Sequence, residues 1–107
     1  MSQQPDLNNL LAQAQQLQQQ MLRIQEQARL KTVEASAGGG MVTATMTGGF
    51  ELRALKIDPQ CVDPNDLQLL QDLIIAAVNQ AILKAQEMVQ EEMQKAAGGM
   101  GLPPGLL

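Results

Sequence analysis

The stretch MVTATMTGGFELRALKIDP, residues 41–59, most constrains the fold, because nearly everything around it has the character of helix. Val42, Ala44 and Met46 alternate with threonines, which is the period-two pattern of a strand with one buried face. Gly48-Gly49 follows and predicts a two-residue hairpin loop in which both glycines take positive φ.

Two further runs complete a small sheet. Residues 50–57 are rich in Leu and Ile, and residues 32–36, TVEAS, alternate and are β-branched in part. A turn at 37–40, AGGG, separates this first run from the hairpin. We therefore predict a three-stranded antiparallel meander with strands at 32–36, 41–47 and 50–57.

Long helices are predicted on both sides of the sheet. Residues 7–30 contain no Gly or Pro, and their apolar positions form a heptad seam of Leu10, Ala14, Leu17, Met21, Ile24 and Ala28. Asp63 is predicted to cap a second helix that starts at Pro64 and runs to about residue 97. Its apolar strip is broad over 67–82, which favours packing on a sheet, and narrow afterwards.

The predicted fold class is α+β, with an α-β-β-β-α protomer. We expect a flexible lead at 1–6, one domain at 7–97 and a Gly/Pro-rich tail at 98–107. The chain has 107 residues and one aromatic side chain, Phe50, so aliphatic residues must fill a thin core. A thin core and the unprotected edges of a small sheet both favour a homodimer, with the hairpin building core and dimer and the helices projecting.

Composition argues against catalysis. The chain has no histidine and one cysteine, Cys61, so the commonest general base and metal ligand are missing and no internal disulfide can form. The glycine clusters match no phosphate-binding pattern, and neither Glu91-Glu92 nor the helix-capping Asp63 and Asp66 form an acid/base pair. We predict a protein that is not an enzyme, with no cofactor, metal, small-molecule substrate or membrane contact, located in the cytoplasm.

The order of four segments resembles the YbaB/EbfC family of bacterial nucleoid-associated proteins over almost the whole chain. The segments are LLAQAQQLQQQM, GGGMVTATMTGGFELRALKIDP, DLQLLQDLIIAAVNQAILKAQE and GGMGLPPGLL. The resemblance implies a tweezer-shaped homodimer that binds DNA in the nucleoid, without enzyme activity. It also implies a role in nucleoid organisation or gene regulation.

The resemblance supplies no universal binding motif, so the DNA-contacting candidates are chosen by charge: Arg23, Arg29, Lys31, Arg53 and Lys56. Arg23 and Lys31 are predicted on one flank of the first helix, and Arg53 and Lys56 on opposite faces of the third strand. A solvated helix flank and protection of an edge strand are the alternative roles for these residues. Lys84 and Lys95 are predicted to pair with neighbouring glutamates.

The charge sets the expected strength of binding. A net charge of −4 is unlike a general polyanion binder, although the total does not exclude local basic patches. Roughly four to six phosphate contacts per dimer are a generous limit, so binding to double-stranded DNA should be weak to moderate, salt-sensitive and largely sequence-tolerant.

Two alternatives without direct DNA binding stay open. One is a prefoldin-like chaperone or scaffold, in which methionines near the helix ends bind apolar surfaces. The third strand and the fading seam after Val89 argue against it. The other is a protein-interaction dimer that uses LPPGLL in the tail as a linear motif.

Overall fold

The computed structural model describes residues 7–99, so the predicted lead and residues 100–107 of the predicted tail lie outside the described part. The described chain runs helix, three strands, a short 3₁₀ turn and a long helix, which confirms the predicted α-β-β-β-α order. The elements are α1 (Leu7–Leu30), β1 (Thr32–Ala37), β2 (Val42–Thr47), β3 (Leu52–Ile57), the turn Pro59–Cys61, and α2 (Leu67–Gly99).

The three strands form one antiparallel meander in the order β1-β2-β3, as predicted. Ala44 at the centre of β2 lies opposite Ala35 of β1 and Leu55 of β3. Because side chains alternate along a strand, Val42, Ala44 and Met46 share one buried face, and Thr43 and Thr45 point to the other. The threonine face has no covering element among the described residues.

The buried face of the sheet packs against the first half of α2. Ala77, Ala81 and Ala85 recur every four residues and are fully buried, so their small side chains bring the helix close to the sheet. Larger side chains flank this line at Leu70, Leu73, Ile74, Val78 and Ile82. The prediction that the broad apolar strip covers a sheet, and that the hairpin builds the core, is confirmed.

The predicted two-residue loop after β2 is wrong. The loop has three residues, because the Thr47 N–H donates to the Glu51 carbonyl at 2.9 Å and the Phe50 N–H donates to the Thr47 carbonyl at 2.9 Å. In such a loop the third residue is left-handed. That residue is Phe50, with φ 63°, and neither Gly48 nor Gly49 has positive φ.

Gly48 has a different reason to be glycine, which is the close approach of helix α1. A Cβ at this position would lie 2.1 Å from the Ala28 carbonyl oxygen. The Gly48 N–H donates to the Lys31 carbonyl at 2.9 Å, and the Gly49 N–H donates to the Arg29 carbonyl at 3.2 Å. The loop therefore satisfies carbonyls at the end of α1, which would otherwise lack partners.

The predicted start of the second helix is also wrong by three residues. The Asp66 carboxylate accepts the Leu69 N–H at 3.2 Å, which makes Asp66 the cap of a helix that begins at Leu67. Asp63 instead accepts the Asn65 N–H at 2.9 Å and closes a local turn. The helix ends at Gly99, two residues beyond the predicted end near residue 97.

Candidate nucleic-acid interface

Arg29 lies in the last turn of α1 and is already paired with a carboxylate. Its Nε donates to Glu26 Oε2 at 3.1 Å, and a second nitrogen donates to the other oxygen. The hydrogen bond from Arg29 is the main cause that lowers the pKa of Glu26. Both side chains are more than half exposed, so the pair is solvated and can open without a large cost.

Lys31 is the first residue after α1, so the predicted common helix flank with Arg23 is wrong. Its Nζ lies 2.8 Å from Glu92 Oε1, which ties the α1–β1 junction to the second half of α2. The hydrogen bond from Lys31 is the main cause that lowers the pKa of Glu92. Glu92 is the less exposed partner, with 26% of its side-chain surface accessible, against 53% for Lys31.

The other three candidates are exposed and have no ion pair within residues 7–99. Arg23 lies on α1. Arg53 lies on β3 at a bulge, since Ala54 pairs with Thr45 and Leu52 with Met46, which leaves Arg53 as the extra residue. Lys56 lies opposite Thr43 of β2 and on the open face of the sheet.

Lys84 has a structural role, and its predicted pairing with neighbouring glutamates is wrong. Its Nζ donates to the backbone carbonyl of Glu34 at 3.0 Å. Glu34 lies on β1, an edge strand, so the lysine occupies a carbonyl that could otherwise pair with another chain.

Phe50 is an exposed residue near these cations that selection by charge does not consider. It is 50% exposed at the tip of the β2–β3 loop, beside the end of α1. The available signal was the single aromatic residue of the chain, directly after a Gly-Gly turn.

The structure brings the five predicted cations together only in part. Arg29 and Lys31 flank the point where the loop docks on α1, and Arg53 lies on the strand that leaves this loop. Arg23 lies further back along α1, and Lys56 further along β3. Within residues 7–99, no group of His, Cys, Asp and Glu could hold a metal ion, and no helix is long and apolar enough to cross a membrane.

A small α+β protein with exposed cations fits the class of nucleic-acid-binding proteins. The chain belongs to the YbaB/EbfC DNA-binding family, which it matches over residues 3–100. The predicted family is therefore confirmed, and with it, at the level of the family, the predicted nucleoid-associated DNA-binding function.

Individual relatives agree with this assignment, and a solved structure shares the fold. The chain is 54% identical over 101 residues to a nucleoid-associated protein of Acetivibrio thermocellus, covering 94% of this chain and 89% of that one. It is 52% identical over 102 residues to a nucleoid-associated protein of Syntrophobacter fumaroxidans, covering 92% and 93%. The crystal structure of an uncharacterized protein from Helicobacter pylori has the same fold, with TM-score 0.63, 23% identity, and coverage of 91% and 98%.

Proposed function

We propose that this protein is a nucleoid-associated homodimer that binds double-stranded DNA mainly through phosphates, with little sequence preference. It acts in the cytoplasm on nucleoid organisation and gene regulation and has no catalytic activity. The observation that carries the proposal is the set of exposed cations, Arg23, Arg53 and Lys56, with no ion pair among the described residues of a chain from a DNA-binding family.

Arg29 and Lys31 are assigned a secondary part in binding. Each already neutralises a carboxylate, Glu26 or Glu92, and must exchange that partner for a phosphate. The exchange frees a carboxylate near the DNA, so the net electrostatic gain is smaller than for an unpaired cation. Affinity is therefore assigned chiefly to the three candidates without an ion pair, Arg23, Arg53 and Lys56, of each protomer.

The edges of the sheet support the homodimer. Strands β1 and β3 each have one side with no neighbouring strand among residues 7–99. Leu52 on the edge strand β3 is 46% exposed. Covering this apolar side chain with a second copy would stabilise the protein and protect the edge. A second copy would cover apolar surface and double the number of cations available to one duplex.

The test is fluorescence anisotropy of a labelled duplex at several salt concentrations, with an unlabelled duplex of unrelated sequence as competitor. We expect saturable binding, nearly equal competition and a steep loss of affinity with salt. Sedimentation equilibrium without DNA should give the mass of a dimer.

Charge-removal variants locate the residues that bind phosphate. Binding becomes less salt-sensitive when a phosphate contact is lost. Arg53→Gln and Lys56→Gln should each make the negative slope of log K against log salt shallower by about 0.9 per lost phosphate contact, or about 1.8 for a dimer. Lys95→Gln is the matched control, because it removes one positive charge next to Glu92 on α2, away from the candidate residues. Equal effects from all three variants would show that net charge, and not these positions, governs binding.

The chaperone alternative has less support. In a prefoldin-like protein the two helices would pair over their full lengths, whereas the first half of α2 packs on the sheet here. Absence of DNA binding even at low salt would leave a protein-interaction role as the function to test.

A further inference from the structure

We infer that Phe50 is an apolar wedge that inserts between stacked base pairs of the bound duplex and kinks it. The inference rests on the proposed function, because it needs a protein that binds double-stranded DNA. It adds a contact to the bases and a change in DNA shape to a function that otherwise uses phosphates alone.

The backbone at Phe50 is unfavourable for this residue. Its φ of 63° lies in the left-handed region, where a residue with a Cβ is strained and glycine is favoured. Core packing does not account for the choice of Phe, since half of its surface is exposed. A strained position that is not used for packing points to a role in contacting a ligand.

The loop holds this ring on a rigid base. The buried Thr47 hydroxyl accepts the Gly49 N–H at 3.2 Å and the Glu51 N–H at 3.1 Å. Two more hydrogen bonds fix the loop to the end of α1, from Gly48 and Gly49. A wedge must keep its direction while it separates base pairs, so this degree of fixation suits it.

The surroundings favour DNA as the partner of the ring. A Cβ at Gly49 would lie 2.6 Å from Arg29 Cγ, so the arginine side chain lies directly against the loop that carries Phe50. Arg53 follows three residues later on the bulged start of β3. Cations close to an exposed ring can hold the phosphates on either side of an opened base step.

The small number of unpaired cations gives a second reason. Phosphate contacts are few in this acidic chain, so binding gains from a contribution that does not depend on salt. Apolar side chains, including Phe, insert between base steps from the minor groove in architectural proteins, and such insertion kinks the duplex by about 20–90°. Phe50 is the only aromatic side chain in the sequence that could do this.

The test compares Phe50→Gly and Phe50→Tyr with the wild type. Leu83→Ala, which truncates a side chain of similar exposure on α2, is the matched control. Anisotropy measures Kd and its salt slope, and energy transfer between dyes at the two ends of a short duplex measures bending. Urea unfolding and sedimentation of each variant check folding and oligomeric state.

Phe50→Gly should weaken binding about 5- to 150-fold, the range for loss of one base–aromatic stack. It should abolish the rise in energy transfer, leave the salt slope unchanged and keep the urea midpoint equal or higher, because glycine fits a left-handed residue. Phe50→Tyr and Leu83→Ala should bind and bend DNA as the wild type does.

Three results would overturn the inference. Wild-type binding and bending by Phe50→Gly would show that the ring does not contact bases. A smaller sedimenting species for Phe50→Gly would make Phe50 a contact between subunits instead. Failure of the wild type itself to bind the duplex at low salt would refute the proposed function and the wedge together. This outcome differs from failure of the wedge alone, in which the wild type binds and Phe50→Gly binds and bends DNA equally well.

Discussion

Replacement of Gly48 by alanine tests the docking of the β2–β3 loop on helix α1. A Cβ at this position would lie 2.1 Å from the Ala28 carbonyl oxygen and 2.8 Å from its carbon, whereas real Cβ contacts below 3.0 Å are essentially absent. Both clashing atoms belong to a helix backbone and cannot rotate aside. The loop must therefore move away from the helix by about 1 Å.

That movement breaks the two hydrogen bonds between loop and helix, which are 2.9 and 3.2 Å long. Each such bond contributes about 1 kcal/mol net. Because both bonds are lost, we expect Gly48→Ala to lower the free energy of unfolding by about 2 kcal/mol.

The assay is urea unfolding followed by circular dichroism, with all proteins at one concentration because a dimer gains stability with concentration. Gly98→Ala is the matched control. Nothing lies within 4 Å of its added Cβ, and its backbone does not have positive φ, so alanine fits this position without strain. A loss below about 1 kcal/mol for Gly48→Ala, or an equal loss for Gly98→Ala, would refute the reasoning.

Three further substitutions give defined outcomes. Thr47→Val removes a buried hydroxyl that accepts two loop N–H groups, so urea unfolding should show a loss of about 1–3 kcal/mol. Lys84→Met removes the hydrogen bond to the Glu34 carbonyl, and light scattering should show more aggregation as the edge strand becomes available. Glu92→Gln removes the pair with Lys31. The pKa of Glu92 is lowered in the folded protein, so the pair stabilises the wild type when Glu92 is ionised. The wild type should therefore exceed Glu92→Gln in free energy of unfolding by the greatest amount above about pH 4.5, and this difference should vanish as the pH falls through the lowered pKa.

Much of the architecture was predictable because its signals are local. The alternation in β2 and the apolar strip of α2 each report which face of one element is buried. The heptad seam of α1 predicts the helix itself, but only Ala28 of that seam is buried. Helix α1 and the meander lie where these patterns place them. The strip of Ala77, Ala81 and Ala85 covers the sheet for the same reason, since i, i+4 positions share a helix face.

Local capping chemistry was harder to predict, because two solutions compete within four residues. Asp63 and Asp66 can both cap a helix start, and Pro64 suits the first helical position. A helix that begins at Leu67 already packs Leu70 and Leu73 against the sheet, and the chain uses Asp66 as its cap. Asp63 is left to close the preceding turn.

The sequence by itself determined the kinds of element, their order, the buried faces of β2 and α2, and the family. Only the tertiary structure decided which cations are unpaired, because Lys31 meets Glu92 and Lys84 meets Glu34 across distances in sequence that no local pattern spans. It also decided the form of the loop. Contact with α1 requires glycine at position 48, and the three-residue geometry then places the left-handed conformation on Phe50.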